Sequence, residues 1–290
     1  MNTSRHDLSF INSSFAKIDD QEIHYRLWGA DDEQAEKILL IHGFGASTFS
    51  WRFTAPYLEE HGYTVIASDL PGFGLSERKA GLDHTSEARA ELMWELLDKI
   101  CPESKWHLVG HSMGGAVVTA MALQEPDRVE SLTLVAGAVF GAENKFIQTL
   151  FRYPPSGRWV KVLATHMILR ENRIKELLAS AYGREPVSDE VEGYFQPVTV
   201  EKSEEVFADL MKTGITSMAD RVEEVELPVL LVWGEEDAWV PLEQGRKLVD
   251  KFPRADLVII PEEGHVPMET SPVIFNEILL IFISEVTDRD

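Results

Sequence analysis

Short apolar runs alternate with helix-compatible stretches through the first half of the chain. They are Ile38-Leu39-Leu40-Ile41, Thr64-Val65-Ile66-Ala67, His107-Leu108-Val109 and Leu132-Thr133-Leu134-Val135, each followed by a polar or glycine-containing turn. Such runs suit buried strands, and strands separated by helices predict an α/β fold with a mainly parallel sheet flanked by helices. In a sheet of this kind, function sits where the turns end the strands. Between residues 137 and 214 the rhythm stops, and the segment reads as helices and loops punctuated by Tyr153-Pro154-Pro155, Gly183 and Glu185-Pro186. The rhythm resumes at Pro228-Val229-Leu230-Leu231-Val232-Trp233 and Leu257-Val258-Ile259-Ile260, after which Ser271-Pro272 predicts the cap and opening of a final amphipathic helix. The expected organisation is a core formed by residues 1–136 and 215–290, with a helical cap over 137–214.

Composition narrows the class of partner. A chain of 290 residues, 44% hydrophobic and 26% charged, is long for one domain but ordinary for an α/β core carrying an insertion. Its 49 acidic and 27 basic residues give a formal charge of −22, which repels phosphate backbones and anionic surfaces, so nucleic acid is not an expected partner. Cys101 is the single cysteine, which precludes an internal disulfide and suits a reducing compartment. The start, Met1-Asn2-Thr3-Ser4-Arg5-His6-Asp7, lacks the layout of a signal peptide, and no apolar run approaches the ~18 residues a membrane helix needs. These features predict a soluble cytoplasmic protein with no membrane span; they imply no oligomeric state.

The strongest chemical signal is Gly110-His111-Ser112-Met113-Gly114-Gly115, set between the run ending at Val109 and the helix-forming Ala116-Val117-Val118-Thr119-Ala120-Met121-Ala122-Leu123. This is G-x-S-x-G in strand–turn–helix context, which presents a serine hydroxyl on a sharp elbow at a helix N-terminus. Taken alone, the same residues also fit a plain turn with a capping serine. The turn His42-Gly43-Phe44-Gly45 follows an apolar strand and can aim main-chain N–H groups into a cleft; the expected donors to an oxyanion are the amides of Phe44 and Met113. His42, just before that turn, is read as a structural hydrogen-bonder. A serine nucleophile needs a base, and the base an orienting partner. Among the nine histidines only His265 lies in a glycine turn, Glu262-Glu263-Gly264-His265, immediately after the final strand. The turn after the preceding strand carries Glu235, Glu236 and Asp237, and spacing leaves the choice among these acids open.

Together these blocks, with Asp69-Leu70-Pro71-Gly72-Phe73-Gly74-Leu75-Ser76, make the chain resemble the α/β-hydrolase superfamily over nearly its whole length, in its serine-nucleophile carboxylesterase/lipase-like branch. The resemblance implies Asp237 as the triad acid, His265 as the base and Ser112 as the nucleophile, in the chain order Ser–Asp–His of that fold. It implies that Asp69 and its glycines shape a loop without a catalytic role. Members of the family that are dehalogenases or soluble epoxide hydrolases carry aspartate at the elbow, so Ser112 argues against both. The family's carbon–carbon hydrolases of ring-fission products commonly have Asn before the nucleophile and Trp after the histidine, where this chain has His111 and Val266; prolyl aminopeptidase relatives have Trp where Met113 stands.

The implied activity is hydrolysis of a small-molecule carboxylic ester through an acyl-enzyme, with no cofactor and no metal. Carbon–carbon hydrolysis of diketo acids on the same residues, or slow-turnover ligand binding of a signalling kind, are the competing readings. The cap holds Phe140, Phe146, Phe151, Tyr153, Trp159, Met167, Ile168, Leu169, Tyr194 and Phe195, most of them expected in its own core and a few over an apolar acyl pocket. The basic excess between Lys145 and Arg184 faces acids between Glu185 and Glu205, and solvated helix faces account for both.

Overall fold

The computed structural model describes residues 10–29, 34–79, 81–141, 170–200 and 216–288. Among these residues eight strands form one sheet: β1 (Ser13–Ile18), β2 (Gln21–Trp28), β3 (Lys37–Ile41), β4 (Thr64–Ser68), β5 (Trp106–His111), β6 (Val129–Val135), β7 (Val229–Gly234) and β8 (Ala255–Ile260). Their spatial order is β1-β2-β4-β3-β5-β6-β7-β8. The β1–β2 and β2–β4 pairs are antiparallel and all others parallel. This is the mainly parallel sheet that the apolar runs predict; each run lies within a strand except for Pro228, which immediately precedes β7.

Alternation along each strand supplies two cores, one per face. Leu39 and Ile41 of β3 pack with α2 (Ser86–Ile100) and α3 (Met113–Gln124), which follow α1 (Thr54–Glu60) in the chain. Ile38 and Leu40 pack on the opposite face with Leu58 of α1. Among the described residues two α-helices stand between β6 and β7: α4 (Glu171–Tyr182) and α5 (Ser188–Val198). They contribute Ile174, Leu178 and Val191 to the second core. After β7 come α6 (Leu242–Val249), then, beyond β8, the short α7 (Pro267–Thr270) and the final helix α8 (Pro272–Thr287). Helix α8 buries Phe275, Leu279 and Ile283, spaced four apart, on the face of the second core. It opens at Pro272 as expected, but the Ser271 hydroxyl makes no cap; it donates to Glu263 instead. Of the cap expected over 137–214, residues 142–169 and 201–214 lie outside the described residues, and with them Phe146, Phe151, Tyr153, Trp159, Met167, Ile168 and Leu169. Among the described residues no helix is long and apolar enough to cross a membrane.

Register brings the strand ends together. Ile41 pairs with Gly110, His111 with Val135, Val135 with Val232, and Gly234 with Ile260. The loops leaving β3, β5, β7 and β8 therefore emerge along one edge of the sheet.

Candidate active site

Ser112 is the single residue between β5 and α3, at φ 51° and ψ −118°, a backbone region that costs a residue with a side chain of order 1–3 kcal/mol. The surroundings hold it there: its N–H donates to Val135 O at 2.9 Å, and its carbonyl accepts from Gly115 and Ala138 at 2.9 and 2.8 Å. Gly110 makes the bend possible, since a Cβ there would lie 2.5 Å from both Gly114 O and Val118 Cγ2. Met113 opens α3, with its side chain buried, while Phe44 is half-exposed in the turn after β3.

The expected acid and base meet. His265 Nδ1 lies 2.8 Å from Asp237 Oδ2, both side chains buried. Asp237 Oδ1 accepts from the backbone N–H groups of Trp239 and Val240 at 2.8 and 2.9 Å, so the carboxylate is fixed by its own turn. Glu235 and Glu236 are exposed to solvent, so of the three acids in this turn Asp237 is the one that meets the histidine. With Nδ1–H donating to the carboxylate, Nε2 of His265 retains its lone pair. The ring stacks on Trp239, centroids 5.5 Å apart and planes 21° from parallel. Its backbone is held on two sides: its N–H donates to Ala181 O in α4 at 2.8 Å, and its carbonyl accepts from His111 Nε2 at 2.9 Å. Burial drives the pKa of His111 far below the ordinary imidazole value, the nearby His265 ring adding to the effect, so His111 is a neutral donor.

Ser112, His265, Phe44 and Trp239 line one cavity of about 540 Å³, closed by Ile174, Leu177 and Leu178 of α4 and Tyr194 and Val198 of α5. No Lys, Arg, Asp or Glu is among its described lining residues. Among the described residues no group of three or more His, Cys, Asp or Glu side chains is arranged to hold a metal ion.

A family model for the α/β-hydrolase fold matches residues 37–272. The chain belongs to the α/β-hydrolase fold family. The 2-hydroxy-6-oxononadienedioate/2-hydroxy-6-oxononatrienedioate hydrolase of Burkholderia vietnamiensis is 28% identical over 277 residues, covering 90% of each chain. Lipase 1 of Psychrobacter immobilis is 29% identical over 238 residues, 80% of this chain and 72% of the lipase. The crystal structure of a bacterial membrane phospholipase A matches with a TM-score of 0.78 at 26% identity, covering 95% of this chain and 86% of that one. An α/β-hydrolase with relatives of both kinds acts by hydrolysis, and the bond it cleaves is a separate question.

Residues read as structural in this α/β-hydrolase have structural surroundings. His42 Nε2 accepts from Leu70 N at 3.0 Å and Nδ1 lies 2.7 Å from Gly43 O, which ties the two loops together. Burial lowers its pKa, so the neutral form persists. Asp69 is fully buried, accepting from Thr48 N, Leu75 N and His24 Nδ1 at 2.6–2.7 Å. Burial opposes its ionisation, yet the charge and hydrogen bond of His24 and the Leu75 N–H hold its pKa below the ordinary value.

Sequence reasoning missed three features of the site: Trp239, the α4 side chains, and the buried Glu269. Tyr182 and Tyr194 donate to Glu269, Tyr182 at 2.8 Å, and Arg52 forms its ion pair. Trp239 had a signal, two residues from Asp237 in the same turn. Ile174, Leu177, Leu178 and Ala181 stand at helical spacing in the sequence; nothing local said that they face a cavity rather than a core.

Proposed function

We propose that this α/β-hydrolase cleaves carboxylic esters through an acyl-enzyme. Ser112 is the nucleophile, His265 the general base and then acid, Asp237 the group that fixes the imidazole, and the N–H groups of Phe44 and Met113 the oxyanion donors. His265 Nε2 removes the Ser112 proton as Oγ attacks the ester carbonyl; the tetrahedral oxyanion collapses, and the imidazolium protonates the leaving alcohol. Water then repeats the cycle, giving its proton to His265 and releasing the acid. The segment 137–214, whose described helices α4 and α5 wall the cavity, acts as the cap that selects the acyl group.

The observation that carries this reading is that Ser112 and the Asp237-bound His265 line the same cavity, whose described lining is mostly apolar and free of Lys, Arg, Asp and Glu. A neutral acyl chain is favoured there. A dienedioate such as the one in the name of the 28%-identical relative carries two carboxylates, which lose hydration in such surroundings and meet no cation among the described lining residues. That relative keeps carbon–carbon hydrolysis as the second reading. A p-nitrophenyl ester chain-length series under multiple turnover, with a vinylogous diketo acid alongside, separates them: recycling turnover of esters is expected. Cleavage of the diketo acid alone, a single burst without recycling, or wild-type ester turnover by Ser112→Ala would overturn the assignment.

A further inference from the structure

Arg89, on the first turns of α2, is almost completely buried and has no carboxylate partner among the described residues. Its guanidinium donates to the Met113 sulfur at 3.1 Å and approaches His84 Nδ1 at 3.2 Å. It lies over the Phe73 ring at 5.5 Å, and its Nε has no hydrogen-bond partner among the described residues. None of these neighbours is a carboxylate. Burial pulls its pKa down to about 9, opposed only by the field of Asp83, an exposed residue that forms no ion pair with it. The helix dipole of α2 is positive at this end and adds to the cost. A hydrophobic side chain of similar volume would stabilise the fold more, because an unpaired buried charge is among the least favourable groups an interior can hold. Packing alone does not account for Arg89.

Its position behind both arms of the reaction centre does. Met113, whose sulfur it touches, is the residue whose N–H heads α3 beside Ser112. Phe73, on which it stacks, packs edge-on against Phe44 at 5.8 Å and His42 at 5.6 Å, the residues of the other donor turn. The charge reaches that turn, since Arg89 is one of the groups that depress His42.

We propose that Arg89 is a positioning residue for ester hydrolysis, a buried guanidinium whose unneutralised charge stands behind Phe44 and Met113 and favours the negative charge that develops on the acyl adduct of Ser112. The inference rests on the assignment of Ser112 as nucleophile. It touches no substrate: Arg89 is absent from the cavity lining. Its effect is therefore selective for charge, strong on the tetrahedral anion and weak on the neutral ester.

The test compares Arg89→Met and Arg89→Lys with the wild-type chain, using an alkyl boronic acid that becomes a tetrahedral anion on a serine oxygen. Arg89→Met is expected to lower kcat on the order of tenfold with KM unchanged, to weaken the boronate adduct by a similar factor, and to melt at the same temperature or higher. Arg89→Lys keeps the charge and should keep most of kcat. In a Ser112→Ala background, where the boronic acid stays trigonal and neutral, Arg89→Met should leave its binding unaltered. Wild-type kcat and boronate affinity in Arg89→Met overturn the proposal; so does a loss of folding or melting temperature in that variant, which would make Arg89 structural. If Ser112→Ala alone leaves boronic acid affinity at the wild-type level, the nucleophile assignment fails instead, and the Arg89 comparison shows which of the two has gone.

Discussion

Replacing Asp237 by Asn tests the acid–base pair through tautomerism, and the surrounding turn dictates the outcome. Oδ1 of Asp237 accepts two backbone N–H groups, from Trp239 at 2.8 Å and Val240 at 2.9 Å, while Oδ2 receives His265 Nδ1. Asn can keep both turn bonds only by placing its carbonyl oxygen where Oδ1 stood, which aims its NH₂ at Nδ1. That imidazole nitrogen must then accept, the proton moves to Nε2, and the lone pair needed to take the Ser112 proton is gone. Flipping the amide restores the tautomer but sets NH₂ against two buried N–H donors. At roughly 1–3 kcal/mol for each bond lost, the flip costs about 2–6 kcal/mol, so the competent form is reduced on the order of 30-fold to 10⁴-fold. Stability should change little, because the two turn bonds and the side-chain volume survive. The assay is kcat on a p-nitrophenyl ester beside a urea denaturation curve. A fall on the order of 10²–10⁴ in kcat with the midpoint nearly unmoved is expected. Activity of the Asp237→Asn variant close to that of the wild type would refute the reasoning, since it would mean that the orientation of this amide does not set the tautomer of His265.

Three further perturbations read other parts of the molecule. Leu178→Trp adds bulk to the cavity wall on α4 and should shift the preferred acyl chain to a shorter length, visible as a lower kcat/KM for long p-nitrophenyl esters with short ones retained. Arg52→Leu removes the cation paired with buried Glu269 and should cost about 3–5 kcal/mol in urea unfolding, much of it recovered when Glu269→Leu is added. Asp69→Asn tests linkage: the folded-state pKa of Asp69 is below its ordinary value of 3.8, so the stability it contributes is present above that value and is lost as pH falls through the lower, folded one. The stability gap between Asp69→Asn and wild type should therefore be widest near neutrality and shrink below about pH 4, as followed by denaturation at a series of pH values.

The parallel strands were legible because each is a short apolar run, buried on both faces in β3 to β7 and half-buried in the edge strand β8, a signal held within a few residues. The antiparallel pair β1 and β2 was not: at the sheet edge β1 is largely half-exposed, and its residues alternate too weakly to stand out. The elbow was legible for a similar local reason, since glycine, serine and the strand–helix context lie within a short stretch of chain. Asp237 was only partly so. Three acids share the turn, and what separates them is that an aspartate side chain is short enough to bond the N–H groups two and three residues on, as it does to Trp239 and Val240, whereas the glutamates extend into solvent. That distinction is readable from side-chain length once the turn is known. The Glu269 cluster was out of reach: its partners lie 217, 87 and 75 residues away, and no pattern in sequence announces a contact at such separation.

The same long-range contacts decide how specificity can vary in this α/β-hydrolase. The histidine loop is bonded to the roof, since the His265 amide donates to Ala181 O, and a Cβ on Gly264 would stand 2.5 Å from that oxygen. The C-terminal turn of α4 thus fixes the height of the imidazole above the sheet, and Tyr182, next in sequence, anchors that turn to Glu269. Ile174, Leu177 and Leu178 lie one or two turns earlier on the same helix and reach the cavity without bonding to the histidine loop. Substitution at these three positions can therefore reshape the cavity while the His265 imidazole stays in place, whereas a change at Ala181 or Tyr182 moves the imidazole itself. Altered chain-length preference should map to the first group with kcat preserved on the best substrate, and loss of kcat on every substrate to the second.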